Sequence, residues 1–325
     1  IDFDHPELNV VAVINCNLSG PSEGTCSGTK DDGNGHGTHV AGIIGARDNG
    51  EGVVGIAPGV RLWAVKVLTN QGIGTTAQIL AGIDWVADHA EAIEVANMSL
   101  GGTGESLVMD TAISNAAALG VTFALSAGNR SLDVANYHPA GSPDAITVSA
   151  LADFDGLPGG LGAPTCATDV DDTLAYFSNF GAGVDIAAPG LCIYSTYKDG
   201  SYRTLSGTSM SAPYVAGAAA LVASSNPALT PAEIKAILTG SGNFDWVDDA
   251  PDGIQEPLLD VSDTLVFNPV VLTTEYPITI SAYGYKVSAY QMTDLYWSGA
   301  STATIDIYRD GSFLVTTEND LAHTD

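Results

Sequence analysis

The residue in this sequence that is best placed to do chemistry is a serine at the start of an apolar helical run. Residues 207–213 read Gly-Thr-Ser-Met-Ser-Ala-Pro, and an apolar run follows from Tyr214 to Ala223. Ser209 is therefore placed between a glycine-bearing turn and a helix N-terminus, where unpaired N–H groups and the helix dipole favour negative charge. This setting suits a nucleophile whose reaction builds an oxyanion. The alternative is an N-cap serine, the commoner role at such a position.

A nucleophilic serine needs a base and an oxyanion donor, and two other segments offer them. His36 stands among glycines in Gly-Asn-Gly-His-Gly-Thr-His, just before the apolar stretch Val40–Ala46, where backbone can approach closely. His39 is expected to point elsewhere around the turn. Asn129 ends the apolar strand run 121–129, and its amide can donate to a developing oxyanion. Taken singly, His36 also fits a structural histidine, and Asn129 fits a turn residue.

The order and spacing of these segments resemble the subtilisin-like serine proteases, or subtilases, over roughly residues 1–245. The segment Asn97-Met98-Ser99-Leu100-Gly101-Gly102 also resembles the family's substrate-binding strand. The resemblance implies that Ser209 is the nucleophile and His36 its general base. Asn129 and the Ser209 N–H would then bind the oxyanion.

The resemblance also implies where a peptide substrate binds. An extended peptide is expected to pair, as an added strand, with residues 99–102, which form the first wall of the substrate site. Residues 126–128 are expected to form the second wall, opposite the first. Because both walls carry small, uncharged groups, we predict broad endopeptidase specificity with an apolar residue before the cleaved bond. The first wall is Ser99, Leu100, Gly101 and Gly102, and the second is Ser126, Ala127 and Gly128.

The family's catalytic triad also contains an aspartate that orients the imidazole. In subtilases it precedes a His-Pro-Asp-Leu-like stretch, which residues 5–8 (His-Pro-Glu-Leu) resemble, so the resemblance places the aspartate before Ile1. We therefore expect a longer natural N-terminus, and impaired turnover in a chain without that aspartate. Four other side chains are weaker substitutes for the aspartate. Asn15 is an amide, and Asp2 follows the wrong position in the motif. Asp31 and Asp32 look like parts of a solvated turn.

Calcium is a further implication of the resemblance. Subtilases often bind it between the stretch after the aspartate motif and the loop after the histidine helix, where Glu7 and Asn49 fall at matching positions. Backbone carbonyls of Arg47, Glu51 and Val53 would add the oxygen ligands that calcium prefers. The same residues also fit ordinary surface turns, so both interpretations stay open.

The composition is that of an acidic extracellular protein. The 325 residues include 38 acidic and 10 basic side chains, which gives a net charge of −28. This charge disfavours nucleic acid and anionic membranes as partners. The sequence has no run of about 18 apolar residues that could span a membrane. The composition thus supports a secreted protein. Polypeptide substrates are implied by the resemblance to subtilases, and we expect the protein to be a monomer.

Four cysteines, an even number, fit a disulfide-bonded extracellular chain. Of the three possible pairings, we predict Cys16–Cys26 and Cys166–Cys192, because each closes a local loop without crossing the core. The alternative is four free thiols in a reducing compartment. Zinc is disfavoured, because the sequence contains no Cys-x-x-Cys pair.

The elements that must position these groups form an α/β domain. Apolar, β-rich runs resemble strands of a parallel sheet covered on both faces, and helical segments with one apolar stripe intervene. With the resemblance, these patterns predict a three-layer subtilisin-like fold with a mainly parallel sheet. The predicted strands are Val10–Ile14, Arg61–Leu68, Ile93–Leu100, Val121–Ser126, Ile146–Ser149 and Val184–Ala187, and the predicted helices include Thr75–His89, Ser106–Leu119 and Pro231–Leu238.

The composition shifts after the predicted catalytic domain of residues 1–245. Asp, Pro and Gly are frequent in residues 246–269, which we predict to be a turn-rich linker. Short alternating strands in residues 270–325 resemble part of an all-β fibronectin type III or immunoglobulin-like sandwich, with too few strands for a complete one. The clearest hairpin signal is Thr304–Tyr308 with Phe313–Thr317.

Together these patterns predict a secreted serine endopeptidase. Two other classes of function stay open. One is a catalytically inactive subtilase that binds peptides, which labelling by a serine-directed phosphonate would exclude. The other is an adhesion protein whose C-terminal module carries the function, which binding by that module would support.

Overall fold

The computed structural model describes residues 1–267 and the backbone of five later strands, 279–287, 290–298, 304–309, 312–318 and 322–324. The chain separates into two compact units, Ile1–Asn268 and Pro269–Asp325. The strands of the first unit are β1 (Val10–Asn15), β2 (Leu62–Lys66), β3 (Val95–Met98), β4 (Gly102–Thr103), β5 (Thr122–Ser126), β6 (Tyr137–His138), β7 (Ile146–Ala152), β8 (Thr173–Leu174), β9 (Ile186–Pro189), β10 (Ile193–Tyr197) and β11 (Ser201–Leu205). Its helices are α1 (His36–Gly45), α2 (Thr76–Ala87), α3 (Leu107–Ala118), α4 (Thr208–Ser225), α5 (Pro231–Ser241) and α6 (Thr264–Phe267).

A mostly parallel sheet lies at the centre of the first unit. Strands β3, β5, β7 and β9 are parallel neighbours in that order, and the short β8 joins β7 antiparallel. Side chains alternate between the two faces along each strand. Phe123 and Leu125 of β5 pack with α2 and α3, whereas Ala124 between them packs with α4 and α5. The predicted three-layer α/β arrangement with a mainly parallel sheet is therefore confirmed for this unit.

Two of the helices begin at capping boxes. The Thr75 hydroxyl accepts from the Gln78 N–H at the start of α2, and the Gln78 side chain accepts from the Thr75 N–H. Thr230 and Glu233 do the same for α5, where Pro231 occupies the first turn. These reciprocal bonds satisfy N–H groups that a helix start otherwise leaves unpaired, so both helices begin close to where the sequence predicts.

Helix α4 begins earlier than its apolar pattern indicates. The apolar run starts at Tyr214, but the helix starts at Thr208, so that Pro213 lies inside it. Proline has no N–H, and the carbonyl four residues earlier therefore loses its usual helical donor. That carbonyl belongs to Ser209, and the Ser99 hydroxyl donates to it at 2.7 Å. The first turn of α4 thus depends on a contact from a distant strand end.

The antiparallel hairpin of β10 and β11 is an element that the sequence analysis does not assign. Most of β11 is exposed, so it lacks the apolar run that marks a buried strand. The hairpin contacts α1 through two hydroxyl groups. Ser195 Oγ donates to the His39 carbonyl at 2.8 Å, and Thr196 Oγ1 donates to the Thr38 carbonyl at 2.7 Å.

The linker is predicted over residues 246–269, but its described part, residues 246–267, belongs to the first unit and packs within it. Trp246 and Phe267 are each 5% exposed. Leu258 pairs with both Asn243 and Ala187, which extends the edge of the sheet beyond β9. The Asp- and Gly-rich composition therefore marks tight turns in a packed segment, and the first unit extends to residue 268.

The second unit contains five strands, β12 (Thr279–Val287), β13 (Tyr290–Ser298), β14 (Thr304–Arg309), β15 (Ser312–Glu318) and β16 (Ala322–Thr324). Strands β12, β13 and β16 form one antiparallel sheet, and β14 pairs with β15 at the predicted hairpin. Residues 268–278 and the connections between the strands lie outside the described residues. The assignment of the module to a fibronectin type III or immunoglobulin-like sandwich stays a prediction.

All four cysteines are paired in the predicted way. The disulfides are Cys16–Cys26 and Cys166–Cys192, with Cα–Cα distances of 4.0 and 5.9 Å. No free cysteine is present in the described part of the structure. None of the described helices combines the length and apolarity needed to cross a bilayer.

Candidate active site

The predicted catalytic groups stand at helix starts and strand ends. Strands β3 and β5 are parallel neighbours, so their carboxyl ends meet, and Asn129 follows β5. His36 is the first residue of α1 and Ser209 the second of α4. The two helices pack against each other through Val40 and Met210 among others. The carboxyl ends of the strands are where ligands bind in open α/β sheets.

Two features define the backbone around Ser209, the conformation of Gly207 and a hydrogen bond from Ser99. Ser209 itself is half-buried. The residue before this helix start, Gly207, has φ 152°, in the region that favours glycine. The Ser209 carbonyl accepts from Ser99 Oγ, which in turn accepts from Asn97 Nδ2 at 3.0 Å. The nucleophile candidate therefore sits on a defined helix start.

Asn129 is exposed, yet its amide has a defined orientation. Its Oδ1 accepts from the Thr208 N–H at 2.8 Å and from Thr208 Oγ1 at 3.0 Å. Because the oxygen is used in this way, Nδ2 is left to donate elsewhere. A methyl group placed on Gly207 would lie 3.4 Å from Asn129 Nδ2 and 3.7 Å from the Ser209 nitrogen. Asn129 Oδ1 lies 3.7 Å from the same point, so the Asn129 amide and the Ser209 nitrogen both lie beside Gly207 at the start of α4, and their role as oxyanion donors stays a prediction.

Two residues that the sequence analysis did not single out hold this donor in place. Thr208 is fully buried, and its hydroxyl accepts from the Gly128 N–H at 3.0 Å while it donates to Asn129. Asn179 is also fully buried, and its Nδ2 donates to the Ala127 carbonyl at 2.8 Å. Thr208 could have been noticed as the neighbour of the nucleophile. No spacing in the sequence connects Asn179 with this site.

The two predicted substrate walls lie on adjacent strands. The first wall follows β3 and ends in β4, and the second ends β5. Gly128 has φ 105°, and a side chain there or at Gly101 would strike the ring of Tyr137. Tyr137 thus contacts both walls, although nothing in the sequence pattern singles it out. Of the wall residues, Ser126, Ala127 and Gly128 are buried, Ser99, Leu100 and Gly102 are half-buried, and Gly101 is exposed.

His36 is half-buried at the start of α1. Burial lowers the pKa of its imidazole, and the negative charge of Asp32 offsets part of this effect. The neutral ring that a general base requires is therefore favoured. His39 is fully buried and has a different role, because its Nε2 lies 3.1 Å from the Ile193 carbonyl and 2.9 Å from the Arg203 carbonyl. It fastens the β10–β11 hairpin to α1.

The interpretation of Asp32 as part of a solvated turn was wrong. Asp32 is 8% exposed, and its oxygens accept from the N–H groups of Asn34, Gly35 and Thr38 and from the Thr38 hydroxyl. Burial alone would raise its pKa, but the hydrogen bonds that Asp32 accepts contribute to holding the pKa well below its usual range. Asp32 therefore caps the start of α1 and orders the loop before His36.

The other substitutes for the triad aspartate are also engaged elsewhere or exposed. Asp2 Oδ2 accepts from the Asp199 N–H at 2.8 Å, Asn15 Oδ1 accepts from the Asn17 N–H, and Asp31 is exposed. Among residues 1–267, none of the four substitutes hydrogen bonds to the His36 ring. An aspartate upstream of Ile1 stays a prediction.

Glu7 and Asn49, the predicted calcium ligands, lie in contact. Glu7 is 2% exposed, and its Oε1 accepts from Asn49 Nδ2 at 3.3 Å. Its Oε2 is buried and has no hydrogen-bond partner among the described residues. A buried carboxylate oxygen without a partner is costly, and a bound cation removes that cost. The open Glu7 oxygen fits calcium. Asn49 turns its Nδ2 towards Glu7, and its Oδ1 accepts from the Glu51 N–H at 3.0 Å, so Asn49 and the carbonyls of Arg47, Glu51 and Val53 stay predicted ligands.

A separate acidic cluster was not predicted. Oxygens of Asp153, Asp171 and Asp172 lie within 4.8 Å of one another, so the cluster could hold a metal ion. Both oxygens of Asp171 and one oxygen of Asp172 already accept from backbone N–H groups of residues 154–162. These bonds give the cluster a role in ordering its own loop, without an ion.

Comparison with known proteins agrees with this geometry. Residues 2–256 match the subtilase family, Peptidase S8. Alkaline serine exoprotease A of Vibrio alginolyticus is 40% identical over 230 residues, which are 71% of this chain but only 39% of that protein. Subtilisin DY of Bacillus licheniformis is 39% identical over 235 residues, 72% of this chain and 77% of that protein.

A solved structure gives the same result for the fold. The crystal structure of a cold adapted subtilisin-like serine proteinase has a TM-score of 0.67 and 37% sequence identity. The similarity covers 80% of this chain and 84% of that one. From the sheet, the ordered helix starts and these matches, we conclude that the chain belongs to the subtilase family.

Proposed function

We propose that the protein is a secreted serine endopeptidase. The proposal rests mainly on one observation: the Asn129 amide, whose Oδ1 is held by Thr208, lies beside the helix start that carries Ser209. A peptide-binding protein without catalysis does not need an amide fixed in this way beside a serine. The names of the relatives, an exoprotease and a subtilisin, support both the reaction and export from the cell.

The residues divide the reaction between them. Ser209 Oγ attacks the carbonyl carbon of the peptide while His36 takes the hydroxyl proton, and a new C–O bond forms. Asn129 Nδ2 and the Ser209 N–H hold the oxyanion. His36 then gives the proton to the leaving amine as the C–N bond breaks, and water repeats the sequence to release the acid. An aspartate upstream of Ile1 would orient His36.

The peptide is proposed to lie extended along Ser99–Gly102, with main-chain pairing of the kind that strand addition gives. The side chain before the cleaved bond would then enter the space between the walls, where the groups are small and uncharged. Broad specificity with an apolar preference follows. Polypeptides are the proposed partners, and the protein is proposed to act as a monomer.

Glu7 and Asn49 are proposed to hold a structural calcium ion. The ion would neutralise the buried Glu7 carboxylate and would fasten the first loop of the chain to the segment after α1. It supplies no step of peptide hydrolysis.

The function is tested on the product of the full coding sequence with a serine-directed phosphonate and a peptide panel. We expect one label per chain, on the peptide that contains Ser209, and faster cleavage after apolar residues than after charged ones. Strict cleavage after Arg or Lys would overturn the specificity. A folded, full-length product that neither takes the label nor cleaves peptides would overturn the proposed activity.

The imidazole of His36 should titrate below the ordinary histidine pKa of about 6.5 in the 325-residue chain. Burial favours the neutral ring, so the proton is taken up only when the pH falls through the lowered folded pKa. The ring NMR signals of His36, assigned with His36→Ala, give that value directly. Removing the Asp32 charge by Asp32→Asn should lower the pKa further, because that charge raises it. A pKa above the ordinary value would contradict this electrostatic description.

A further inference from the structure

The backbone carbonyl of Ser209 needs a donor from outside its own helix. In an α-helix the N–H of each residue donates to the carbonyl four residues earlier. For Ser209 that donor would be residue 213, which is a proline inside α4 and has no N–H. A partly buried carbonyl without a donor is costly. The helix turn that carries the nucleophile candidate is therefore incomplete by itself.

Ser99, on the first substrate wall, supplies the missing donor. Its Oγ donates to the Ser209 carbonyl at 2.7 Å, although the two residues are 110 positions apart in the chain. The same oxygen accepts from Asn97 Nδ2 at 3.0 Å. A hydroxyl group has one proton and two lone pairs. Because Asn97 occupies a lone pair, the proton of Ser99 is directed at the Ser209 carbonyl.

This bond restrains the peptide unit that follows the Cα atom of Ser209. A peptide unit is planar, so a donor on its oxygen restrains the whole unit. Before Ser209, the Thr208 N–H donates to Asn129 Oδ1 at 2.8 Å. The backbone is thus hydrogen-bonded to other segments on both sides of this Cα atom. Since Oγ is attached through Cβ to this Cα, its position depends on both contacts.

Both substrate walls are joined to the start of α4. The first wall contributes the Ser99 hydroxyl, which contacts Ser209. The second wall contributes Gly128, whose N–H donates to Thr208 Oγ1 at 3.0 Å. Two successive residues of the helix therefore each accept a hydrogen bond from one wall. The groups that would receive the peptide and the residue that would attack it belong to one hydrogen-bonded arrangement.

We propose that Ser99 is a positioning residue for the nucleophile, because its hydroxyl replaces the donor that Pro213 removes and holds Ser209 in place for attack. The inference rests on the proposed peptidase function and gives Ser99 a role besides main-chain pairing with the peptide. Attack requires reacting atoms about 3–3.5 Å apart and aligned, and small displacements lower the rate strongly. The peptide pairs with the backbone of Ser99, so loss of the hydroxyl affects the chemical step and not peptide binding.

The first test removes the hydroxyl in the product of the full coding sequence. Ser99→Ala should lower kcat for an apolar peptide and the rate of phosphonate labelling by about tenfold each, the effect expected of one hydrogen bond. KM should stay nearly unchanged. Labelling is informative because a small phosphonate reacts with Ser209 without pairing along the wall. The matched control is Ser211→Ala, which removes an unpaired hydroxyl from the same end of α4 and should label at the parent's rate.

The second test returns the donor that the proline removes. Pro213→Ala restores an N–H that can donate to the Ser209 carbonyl. Alone, it should label close to the parent's rate, because a carbonyl oxygen has two lone pairs and accepts both donors. In Ser99→Ala/Pro213→Ala, the new N–H should recover most of the lost rate. The two substitutions are then coupled in a double-mutant cycle. All rates are measured well below the unfolding midpoint of every variant.

Two results would overturn the proposal. If Ser99→Ala raises KM and leaves kcat and labelling intact, the hydroxyl serves peptide binding. If Ser99→Ala loses rate and Pro213→Ala restores none of it, the hydroxyl does not act through the Ser209 carbonyl. Ser99→Thr keeps a hydroxyl and should retain most of the rate, which gives a second comparison if Ser99→Ala does not fold. A folded parent that neither takes the label nor cleaves peptides would instead overturn the proposed function itself.

Discussion

Replacement of Ser209 by alanine should abolish phosphonate labelling and lower peptide turnover roughly 10⁶-fold, the loss that the same change causes in subtilisin itself. The hydroxyl is the group of Ser209 that forms a covalent bond with the substrate in the proposed reaction, and the backbone N–H that would hold the oxyanion remains in the variant. Its backbone contacts, including the Ser99 hydroxyl on its carbonyl, are untouched by the change. The thermal unfolding midpoint should therefore stay close to that of the parent, and the loss should appear in activity alone.

A control for this variant lies two residues away. Ser211 is fully buried, and its hydroxyl has no hydrogen-bond partner among the described residues. Removal of an unpaired buried hydroxyl is neutral or slightly stabilising, so Ser211→Ala should keep full labelling and turnover. Labelling of Ser209→Ala at the parent's rate would show that another residue is the nucleophile.

The catalytic residues could be predicted from local motifs because each of these residues lies at the start of a helix or directly after a buried strand. Ser209 and His36 begin helices, and Asn129 ends a buried strand. Such features can be recognised within a few residues of sequence. The parallel sheet was predictable for the same reason, since β5 and β7 are buried along their whole length and consist of small and apolar residues.

The groups that hold the site together could not be predicted in this way. Asn179 reaches Ala127, and Ser99 reaches the Ser209 carbonyl, across long separations in the chain. Only the folded arrangement brings such pairs together. Tyr137 is similar, because its contact with both substrate walls depends on the absence of side chains at two glycines.

Acidic residues were the type most often misjudged from sequence. Asp32 stands beside a glycine and looks solvated in the sequence, but it turns inward to cap α1. In a chain with net charge −28, burial of a carboxylate requires either many N–H donors or a cation. Asp32 has the donors, whereas Glu7 leaves an oxygen without one. This difference separates the capping aspartate from the proposed calcium ligand Glu7.

Replacement of Asn129 by alanine should lower kcat by about 10²–10³ and leave KM nearly unchanged, the range observed for the oxyanion-hole asparagine of subtilisin. The amide is exposed in the free protein, and its Oδ1 is held by Thr208, which leaves Nδ2 to donate to the oxyanion in the proposed reaction. Because full negative charge on that oxygen exists only near the transition state, the lost interaction affects the chemical step more than substrate binding. The measurement is kcat and KM with one apolar peptide substrate.

Thr208 tests whether the orientation of the amide contributes to this effect. Thr208→Val removes the hydroxyl that donates to Asn129 Oδ1 and accepts from the Gly128 N–H, but it leaves the Thr208 N–H bond in place. The expected loss in kcat is smaller, about tenfold, because one of two bonds to the oxygen remains, and such a bond contributes about 1 kcal/mol. Thr208→Ser keeps the hydroxyl and should retain most of the activity. If Asn129→Ala raised KM and left kcat intact, the amide would serve substrate binding, and the oxyanion role would have to be given to the Ser209 N–H alone.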